Sequence, residues 1–329
     1  MKSGKTLLRF AALVLAAALC LSFPAAAEEE KDLTLEDLGV VDVEEIELEA
    51  PLIASPLPID FSGGFPPQAQ YYLDAYTYQD PTISVEITEK DVTHLQPYKG
   101  RTATAWVVDI RIGHASQLRT AAAESFDTDT ILPIADIAEA VNAVVAFNGD
   151  YVTRQNEGCY ILREGILFKD NLKGKRDVLL IDEDGDFHVI HLPKKGEVPD
   201  TVDGKKIINA FCFGPALVED GKAITSIRDF GYLKPDKYYA RIALCQVGPL
   251  HYKVILTTQE QGYELGLQLK TFAQLCEDEG AIVAYNLDGG ESTTLHFRGE
   301  RVNFQKKINY RDHPDILYFA SSWDGGNAE

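Results

Sequence analysis

Residues 286–294 read NLDGGESTT and bring several chemically useful residue types to one turn. An apolar strand is predicted to end at Asn286, and Asp288 stands directly before Gly289 and Gly290. Paired glycines allow a sharp turn and let backbone N–H groups approach a ligand closely. A carboxylate at such a strand end is typical of a polar cleft, although an ordinary surface turn has the same composition.

Two other places offer polar groups at or within apolar strands. Asn148, Gly149 and Asp150 follow the apolar run 143–147, and Arg241 lies inside the apolar run 239–244. An arginine rarely lies within such a strand without a carboxylate or an anion beside it. Arg241 therefore forms a structural ion pair, lies on an exposed sheet face, or is a bidentate clamp for phosphate or carboxylate.

Two carboxylates and an arginine suit hydrolysis of a glycosidic or phosphodiester bond. One acid can protonate the leaving oxygen while the other attacks, activates water or stabilises positive charge. Sequence spacing alone does not show that Asp150 and Asp288 meet in space. The isolated histidines His114, His251 and His296 are further candidates, but we interpret them as structural.

The elements that must position these residues follow from hydrophobic periodicity. Two helices, 132–142 and 268–279, each lead into a strand that ends at one of the Asn-led turns. Glycine- and aspartate-bearing turns predict hairpins in much of the remaining chain. We therefore predict an α+β fold: a single domain with a mainly antiparallel or mixed β-sheet and a few packed helices.

The N-terminus has the layout of a secretory signal peptide over residues 1–27. Three cations within the first nine residues precede the apolar stretch 10–23, and small residues follow at 25–27. We expect a secreted or extracytoplasmic protein associated with the cell envelope. An uncleaved membrane anchor is the alternative, and it is the only membrane contact that the sequence suggests.

An acidic, proline-rich leader is predicted over residues 28–70, ahead of a globular domain over 71–329. Residues 28–49 contain eleven acidic side chains and one lysine, and several prolines and glycines follow. Charge repulsion and proline favour an extended, flexible segment. The formal net charge of −20 repels phosphate backbones and argues against a nucleic-acid partner.

Cysteines and metal motifs define no further site. Four cysteines follow residue 27, which allows three pairings and fixes none. Zinc-binding motifs are absent from the sequence, and we predict no metal site and no cofactor. A divalent ion between Asp150 and Asp288 is conceivable because hard cations favour carboxylates, but no ligand spacing supports it.

Five segments in the same order resemble the phosphodiester glycosidase domain family. They are the NGDY run at 148–151, the GPALVEDG run at 214–221, the arginine strand at 239–243, the NLDGGEST run at 286–293, and Arg311 ahead of the strand at 315–319. The resemblance extends from about residue 105 to residue 321. Each segment alone is weakly specific, whereas five in sequence are quite specific.

The resemblance implies a secreted hydrolase that cleaves a sugar 1-phosphodiester, in a phosphate-bearing glycan or glycoconjugate, at the sugar–oxygen bond. It implies Asp288 as the leading acid, base or nucleophile and Asp150 as the second carboxylate. The implied substrate-binding residues are Asn148, Gly149, Arg241, Asn286, Gly289, Gly290, Ser292 and Arg311. A non-catalytic envelope protein that binds phosphorylated glycans is the alternative.

The sequence departs from the family pattern at two positions. Glu291 stands where many relatives have a third glycine, and Cys245 stands where many have a glycine after the arginine strand. Glu291 adds a charge beside the expected site, where it could alter substrate choice or supply an extra acid. The set of asparagines, aspartates and arginines is unaffected.

Overall fold

Antiparallel strands dominate the fold, which is described here from a computed structural model. The structure describes residues 52–97, 99, 102–151, 158–227, 233–258, 266–303 and 310–326. The predicted signal peptide and the first part of the predicted leader lie outside these residues.

The first half of the described chain contains one helix and nine strands. In chain order these are β1 (Thr77–Asp80), β2 (Ile83–Asp91), β3 (Thr104–Ile112), β4 (Leu118–Ala122), α1 (Ile134–Ala140), β5 (Ala143–Asn148), β6 (Tyr160–Arg163), β7 (Ile166–Asp170), β8 (Val178–Asp182) and β9 (Phe187–Ile190).

The second half contains the other helix and the remaining strands. They are β10 (Thr201–Val202), β11 (Lys205–Phe211), β12 (Ala216–Glu219), β13 (Lys222–Ala223), β14 (Ile242–Gly248), β15 (His251–Thr257), α2 (Leu269–Asp278), β16 (Val283–Asn286), β17 (Leu295–Phe297), β18 (Glu300–Arg301) and β19 (Asp315–Ala320).

The strands form three sheets. The largest has the order β1-β2-β3-β15-β14-β16-β12-β13, the second has the order β7-β6-β11-β8-β9 with β10 beside β11, and the third has the order β18-β17-β5-β19-β4. Neighbouring strands within each sheet are antiparallel. The two strands that end in the Asn-led turns, β5 and β16, belong to different sheets.

The core lies where the three sheets meet. Buried side chains such as Phe147, Leu179 and Leu244, one from each sheet, belong to one apolar cluster. Helix α2 packs its apolar side, including Phe272 and Cys276, against the large sheet in a second cluster. The predicted α+β fold with a mainly antiparallel sheet and packed helices is therefore confirmed.

Element boundaries differ from the sequence prediction at Arg241. The sequence places Arg241 inside an apolar strand over residues 239–244, whereas β14 begins only at Ile242, so Arg241 lies one residue before the strand. Tyr239 makes an isolated bridge to Leu267 instead of extending that strand. The hydrophobic alternation continues through residues 239–241, although these residues lie outside β14. The alternation therefore predicts a strand that begins too early.

Residues 52–70, the described part of the predicted leader, contact the domain. The Leu57 side chain is buried, and the Leu57 N–H donates to Ser116 Oγ at 2.8 Å. The buried Arg119 guanidinium donates to the carbonyls of Pro58 and Asp60 at 2.9 and 2.7 Å. The boundary at residue 70 stays a prediction. Within the described ranges, no helix is long and apolar enough to cross a membrane.

Candidate active site

The two Asn-led turns converge although 138 positions separate Asn148 from Asn286 in the sequence. Asn148 Nδ2 donates to the Asp288 carbonyl at 2.7 Å, and the Asp288 N–H donates to the Gly149 carbonyl at 3.4 Å. The ends of β5 and β16 are thereby joined across two sheets. This convergence is what the hydrolase hypothesis requires.

Asn148 fixes this junction with its whole amide group. Its Oδ1 accepts the Thr294 N–H at 3.0 Å, while Nδ2 is bonded to the carbonyls of Gly149 and Asp288. The residue is 1% exposed and does not line the cavity described below. Asn148 therefore braces the Asp288 turn in this structure.

A polar cavity of about 190 Å³ opens beside the Asp288 turn. Its walls come from the β16 turn, from the segment before β14 and from the segment before β19. The lining residues are Phe213, Leu233, Lys234, Tyr239, Arg241, Asn286, Leu287, Asp288, Gly289, Gly290, Glu291 and Arg311.

Asp288 is a half-buried carboxylate on the wall of this cavity. Burial raises its pKa to about 6, and the negative charge of Asp150 acts in the same direction. A hydrogen bond from Ser292 and the charge of Arg311 oppose this rise. A carboxyl group with this pKa can exchange a proton close to neutral pH.

Ser292 therefore contacts the expected acid directly. It is 3% exposed, lies in the short 3₁₀ turn Gly290–Ser292, and does not line the cavity. The Ser292 hydroxyl therefore hydrogen-bonds the Asp288 carboxylate in addition to its place in the turn.

Asp150 lies near Asp288, but its carboxylate forms an ion pair with Arg163. Its Oδ1 accepts from Arg163 Nη2 at 2.7 Å, and its Oδ2 accepts the Cys212 N–H at 2.8 Å. Asp150 is 2% exposed and is not among the residues that line the cavity. The structure brings the two carboxylates close enough to interact but presents only Asp288 to the cavity.

Arg241 lines the cavity, yet most of its donors are occupied by backbone carbonyls. Its guanidinium donates to Leu267 O at 3.2 Å, Leu233 O at 3.1 Å, Lys234 O at 3.1 Å and Lys237 O at 3.0 Å. Burial lowers the Arg241 pKa to about 10. Four of the five N–H groups of an arginine are thus occupied, which leaves no pair for a bidentate contact.

Asn286 presents an unpartnered oxygen at the cavity wall. Its Nδ2 donates to the Gly214 carbonyl at 2.9 Å, which fixes the orientation of the amide. Within the described part of the chain, the buried Oδ1 has no hydrogen-bond partner. Buried polar atoms are rarely left unpaired, so this oxygen is well suited to accept from a ligand hydroxyl.

The glycines are required by close packing and by backbone conformation. A Cβ atom at Gly149 would lie 2.1 Å from Asp315 Oδ2, and one at Gly289 would lie 2.6 Å from the Ala240 carbonyl oxygen. Gly290 has a φ of +65°, and its N–H donates to the same Ala240 carbonyl at 2.8 Å. The turn is therefore pressed against the segment that carries Arg241.

Arg311 and Glu291 form an ion pair on another wall. Arg311 Nε donates to Glu291 Oε2 at 3.1 Å, and the Arg311 N–H donates to the Glu291 carbonyl at 3.3 Å. The Arg311 side chain is 55% exposed. Within the described ranges, its two terminal Nη groups have no hydrogen-bond partner.

Sequence reasoning missed Lys234 and Tyr239 as cavity residues. Tyr239 could have been found, because alternation places it on the same side as Arg241, and its ring lies 5.4 Å from the guanidinium carbon. Lys234 is exposed in an irregular segment that no periodicity marks. Of the histidines, His114, His251 and His296 do not line the cavity.

The residues that the structure describes contain no group of three or more His, Cys, Asp or Glu side chains suited to a metal ion. The carboxylate oxygens of Asp150 are occupied by Arg163 and the Cys212 N–H, so the pair with Asp288 lacks the convergent oxygens that a hard cation prefers.

Comparisons with known proteins identify a family and a fold for this chain. The family model described as phosphodiester glycosidase matches residues 141–320. No curated protein sequence matches the chain significantly.

Solved structures show the same fold at low identity. The catalytic domain of zebrafish N-acetylglucosamine-1-phosphodiester alpha-N-acetylglucosaminidase, auto-inhibited by its pro-peptide, is 16% identical with a TM-score of 0.57. That match covers 74% of this chain and 85% of the zebrafish chain. A hypothetical protein from Synechocystis is 15% identical with a TM-score of 0.52, and the match covers 72% of this chain and 62% of that one.

Proposed function

The chain belongs to the phosphodiester glycosidase family, and from this premise we propose that it hydrolyses sugar 1-phosphodiester linkages in a phosphate-bearing glycan or glycoconjugate. A glycosidase-type hydrolase is what the family supports in general. The bond cleaved, the residues that act and the extracytoplasmic location are our proposals.

One observation carries the proposal most directly: three suitable groups line the same polar cavity. They are a carboxylate with a raised pKa, an amide oxygen with no partner among the described residues, and a guanidinium whose terminal Nη groups have no partner there either. These are Asp288, Asn286 and Arg311. The amide oxygen suits a sugar hydroxyl, and the guanidinium suits a phosphate. The anomeric carbon joins the sugar to the phosphate, and the carboxylate would act on this carbon.

The leaving group determines what the cavity must supply. Cleavage of the sugar–oxygen bond releases a phosphomonoester, whose second pKa is about 6. This group departs as a stable anion with little need for protonation, so positive charge near the phosphate matters more than a strong acid. Arg311, Lys234 and the buried charge of Arg241 provide that positive charge.

Asp288 then acts on the sugar. With a pKa of about 6 it is mostly ionised at neutral pH and can attack the anomeric carbon or activate water. Asp150, the second carboxylate, acts through its charge, which raises the Asp288 pKa. Asn148 and Ser292 hold Asp288 in place, while Gly149, Gly289 and Gly290 let the two turns pack closely.

The test is an assay of sugar release from a synthetic sugar 1-phosphodiester. Asp288→Asn should lower turnover by at least about a thousandfold, because the reacting carboxylate is lost. Arg311→Ala should lower it by about a hundredfold through the loss of charge stabilisation. Glu89→Gln, an exposed charge change on β2, is the matched control and should leave turnover unchanged.

Binding measured on the same samples separates the alternative function. A non-catalytic protein for phosphorylated glycans would bind the diester saturably and release no sugar. Wild-type turnover in a folded Asp288→Asn protein would remove that residue from the mechanism.

A further inference from the structure

We propose that Arg311, held in place by Glu291, is the phosphate-binding group of this cavity, and that the Glu291 carboxylate makes the site prefer phosphodiester monoanions over phosphomonoester dianions. The inference rests on the proposed function for its choice of a phosphate ester as ligand. It deepens that function by assigning a specificity role to Glu291.

Arg311 is suited to the ligand by its uncommitted donors. Glu291 uses only the Nε of the guanidinium, and the two Nη groups have no hydrogen-bond partner within the described ranges. Arg241, by contrast, has four N–H groups bonded to backbone carbonyls. A planar pair of terminal N–H donors is the arrangement that recognises phosphate oxygens.

Glu291 orients this guanidinium with two contacts. Its carboxylate accepts from Arg311 Nε at 3.1 Å, and its backbone carbonyl accepts from the Arg311 N–H at 3.3 Å. The Glu291 side chain is only 20% exposed, so the pair is partly shielded from solvent. A long, half-exposed arginine side chain would otherwise lose conformational entropy on binding a ligand.

The same carboxylate limits how much negative charge the site can accept. Among the described residues that line the cavity, three are cations (Lys234, Arg241 and Arg311) and two are carboxylates (Asp288 and Glu291), which gives a formal charge of +1 when all five are ionised. A phosphodiester carries one negative charge, whereas a phosphomonoester carries nearly two above its second pKa of about 6. The cavity therefore matches the charge of the diester.

The Glu291 carboxylate is close enough to a bound phosphate for the repulsion between the two negative charges to affect binding. A phosphate on the Nη groups lies on the opposite edge of the guanidinium from Glu291. Two charge-assisted hydrogen bonds and the width of the guanidinium separate the two groups, so their oxygens are about 7 Å apart. At an effective dielectric of about 40, between the values for a protein surface and for bulk water, one like charge at that distance weakens binding on the order of tenfold. The second charge of a monoester adds a further factor of this size and would favour product release.

The experiment measures binding of two probes that contain no sugar, dimethyl phosphate and methyl phosphate, by NMR titration at pH 8. Glu291→Gln keeps an oxygen acceptor for Arg311 Nε but removes the charge. It should strengthen methyl phosphate binding about tenfold more than dimethyl phosphate binding. Arg311→Ala should weaken both probes, and Glu89→Gln should change neither.

The outcomes separate the two proposals. An unchanged ratio of the two affinities in Glu291→Gln, wild-type affinities in Arg311→Ala, or no binding of either probe to the wild-type protein would each overturn the inference. The expected shift in the ratio, seen in a protein that releases no sugar from a sugar 1-phosphodiester, would support the phosphate subsite while refuting the proposed hydrolysis.

Discussion

Asp288 and Asp150 are both aspartates and lie close enough for the charge of Asp150 to act on Asp288, yet their surroundings differ. Asp288 is half-buried at the cavity, and burial raises its pKa to about 6. Both oxygens of Asp150 accept hydrogen bonds, one from the buried Arg163 and one from the Cys212 N–H. Local solvation and hydrogen bonding therefore make Asp288, and not Asp150, the carboxylate that we propose to react.

The first prediction concerns the pH dependence of turnover. Because the proposed mechanism uses the ionised form of Asp288, kcat/KM should rise with pH and level off above about pH 6. Asp150→Asn removes a negative charge that raises the Asp288 pKa, so it should move this acidic limb to lower pH. An acidic limb that stays in place in Asp150→Asn would show that Asp150 does not act through the Asp288 pKa.

The second prediction concerns stability and the same carboxyl group. The folded protein raises the Asp288 pKa from 3.8 to about 6, so it binds this proton more tightly than the unfolded chain does. Ionisation of Asp288 therefore costs no stability below pH 3.8; the cost grows as the pH rises from 3.8 to about 6 and is constant at higher pH. After allowance for its partial exposure, Asp288→Asn should be more stable than wild type by about 1–2 kcal/mol at pH 8.

The measurement is urea unfolding of both proteins between pH 5 and pH 8. The control is Asp220→Asn, because Asp220 is exposed in a hairpin turn at a φ of +49°, which asparagine also adopts readily. A difference between wild type and Asp288→Asn that does not grow with pH would contradict the raised pKa.

Two short elements, the β16 turn and the segment before β14, are joined by a backbone hydrogen bond. The Ala240 carbonyl makes this contact, while the Arg241 side chain fixes the segment before β14 to backbone carbonyls outside the turn. The Gly290 N–H donates to Ala240 O, and Arg241 donates to the carbonyls of residues 233, 234, 237 and 267. The cavity walls therefore depend on backbone contacts as much as on side chains.

The third prediction tests this contact with Gly289→Ala. Gly289 has an ordinary φ of −106°, so alanine introduces no backbone strain there, but its Cβ would lie 2.6 Å from Ala240 O. The turn must shift, which should cost about 1–3 kcal/mol of stability and lower turnover by at least about tenfold.

The control for this substitution is Gly248→Ala at the end of β14. A Cβ there would meet only His251 Cβ at 3.8 Å, which is ordinary contact. Gly248→Ala should preserve activity and stability. Equal effects of the two substitutions, measured by urea unfolding and sugar release, would argue against a special role for the Gly289 contact.

At the scale of the whole molecule, residues 52–70 complete the domain surface. They bury Leu57, and they provide two of the carbonyls that satisfy Arg119, which is fully buried. Phe61 lies 5.6 Å from Phe126 and 6.2 Å from Phe168, measured between ring centroids. The acidic leader and the domain thus share packing at their boundary.

The fourth prediction is that removing this segment destabilises the domain. A chain that begins at residue 71 should be less stable than one that begins at residue 52 by about 3–5 kcal/mol. That sum combines the lost burial of Leu57 with the unsatisfied donors of Arg119. Removing only residues 28–51 should leave the urea midpoint unchanged, and equal midpoints for all three chains would place the domain boundary at residue 70.

Sequence periodicity was enough to predict most of the fold. Both helices, the strands that follow them and the main hairpins have side chains that repeat every two or three to four residues, and this signal is local. It failed at residues 239–241, where the alternation continues but the backbone partner becomes Leu267. Turn chemistry also indicated the Asp288 turn and its counterpart at Asn148.

The sequence by itself thus determined the fold class, the order of the family segments and the set of polar residues at the two turns. Only the tertiary structure decided how those residues divide their work. Asn148 braces the Asp288 turn, whereas the buried Oδ1 of Asn286 is unpaired among the described residues. Arg241 binds backbone carbonyls, whereas the terminal Nη groups of Arg311 have no hydrogen-bond partner in the described part of the chain. The physical reason is that a polar side chain acts through whichever atoms its neighbours leave unpaired. Those neighbours come from strands in different sheets, and no local pattern encodes which of them will meet.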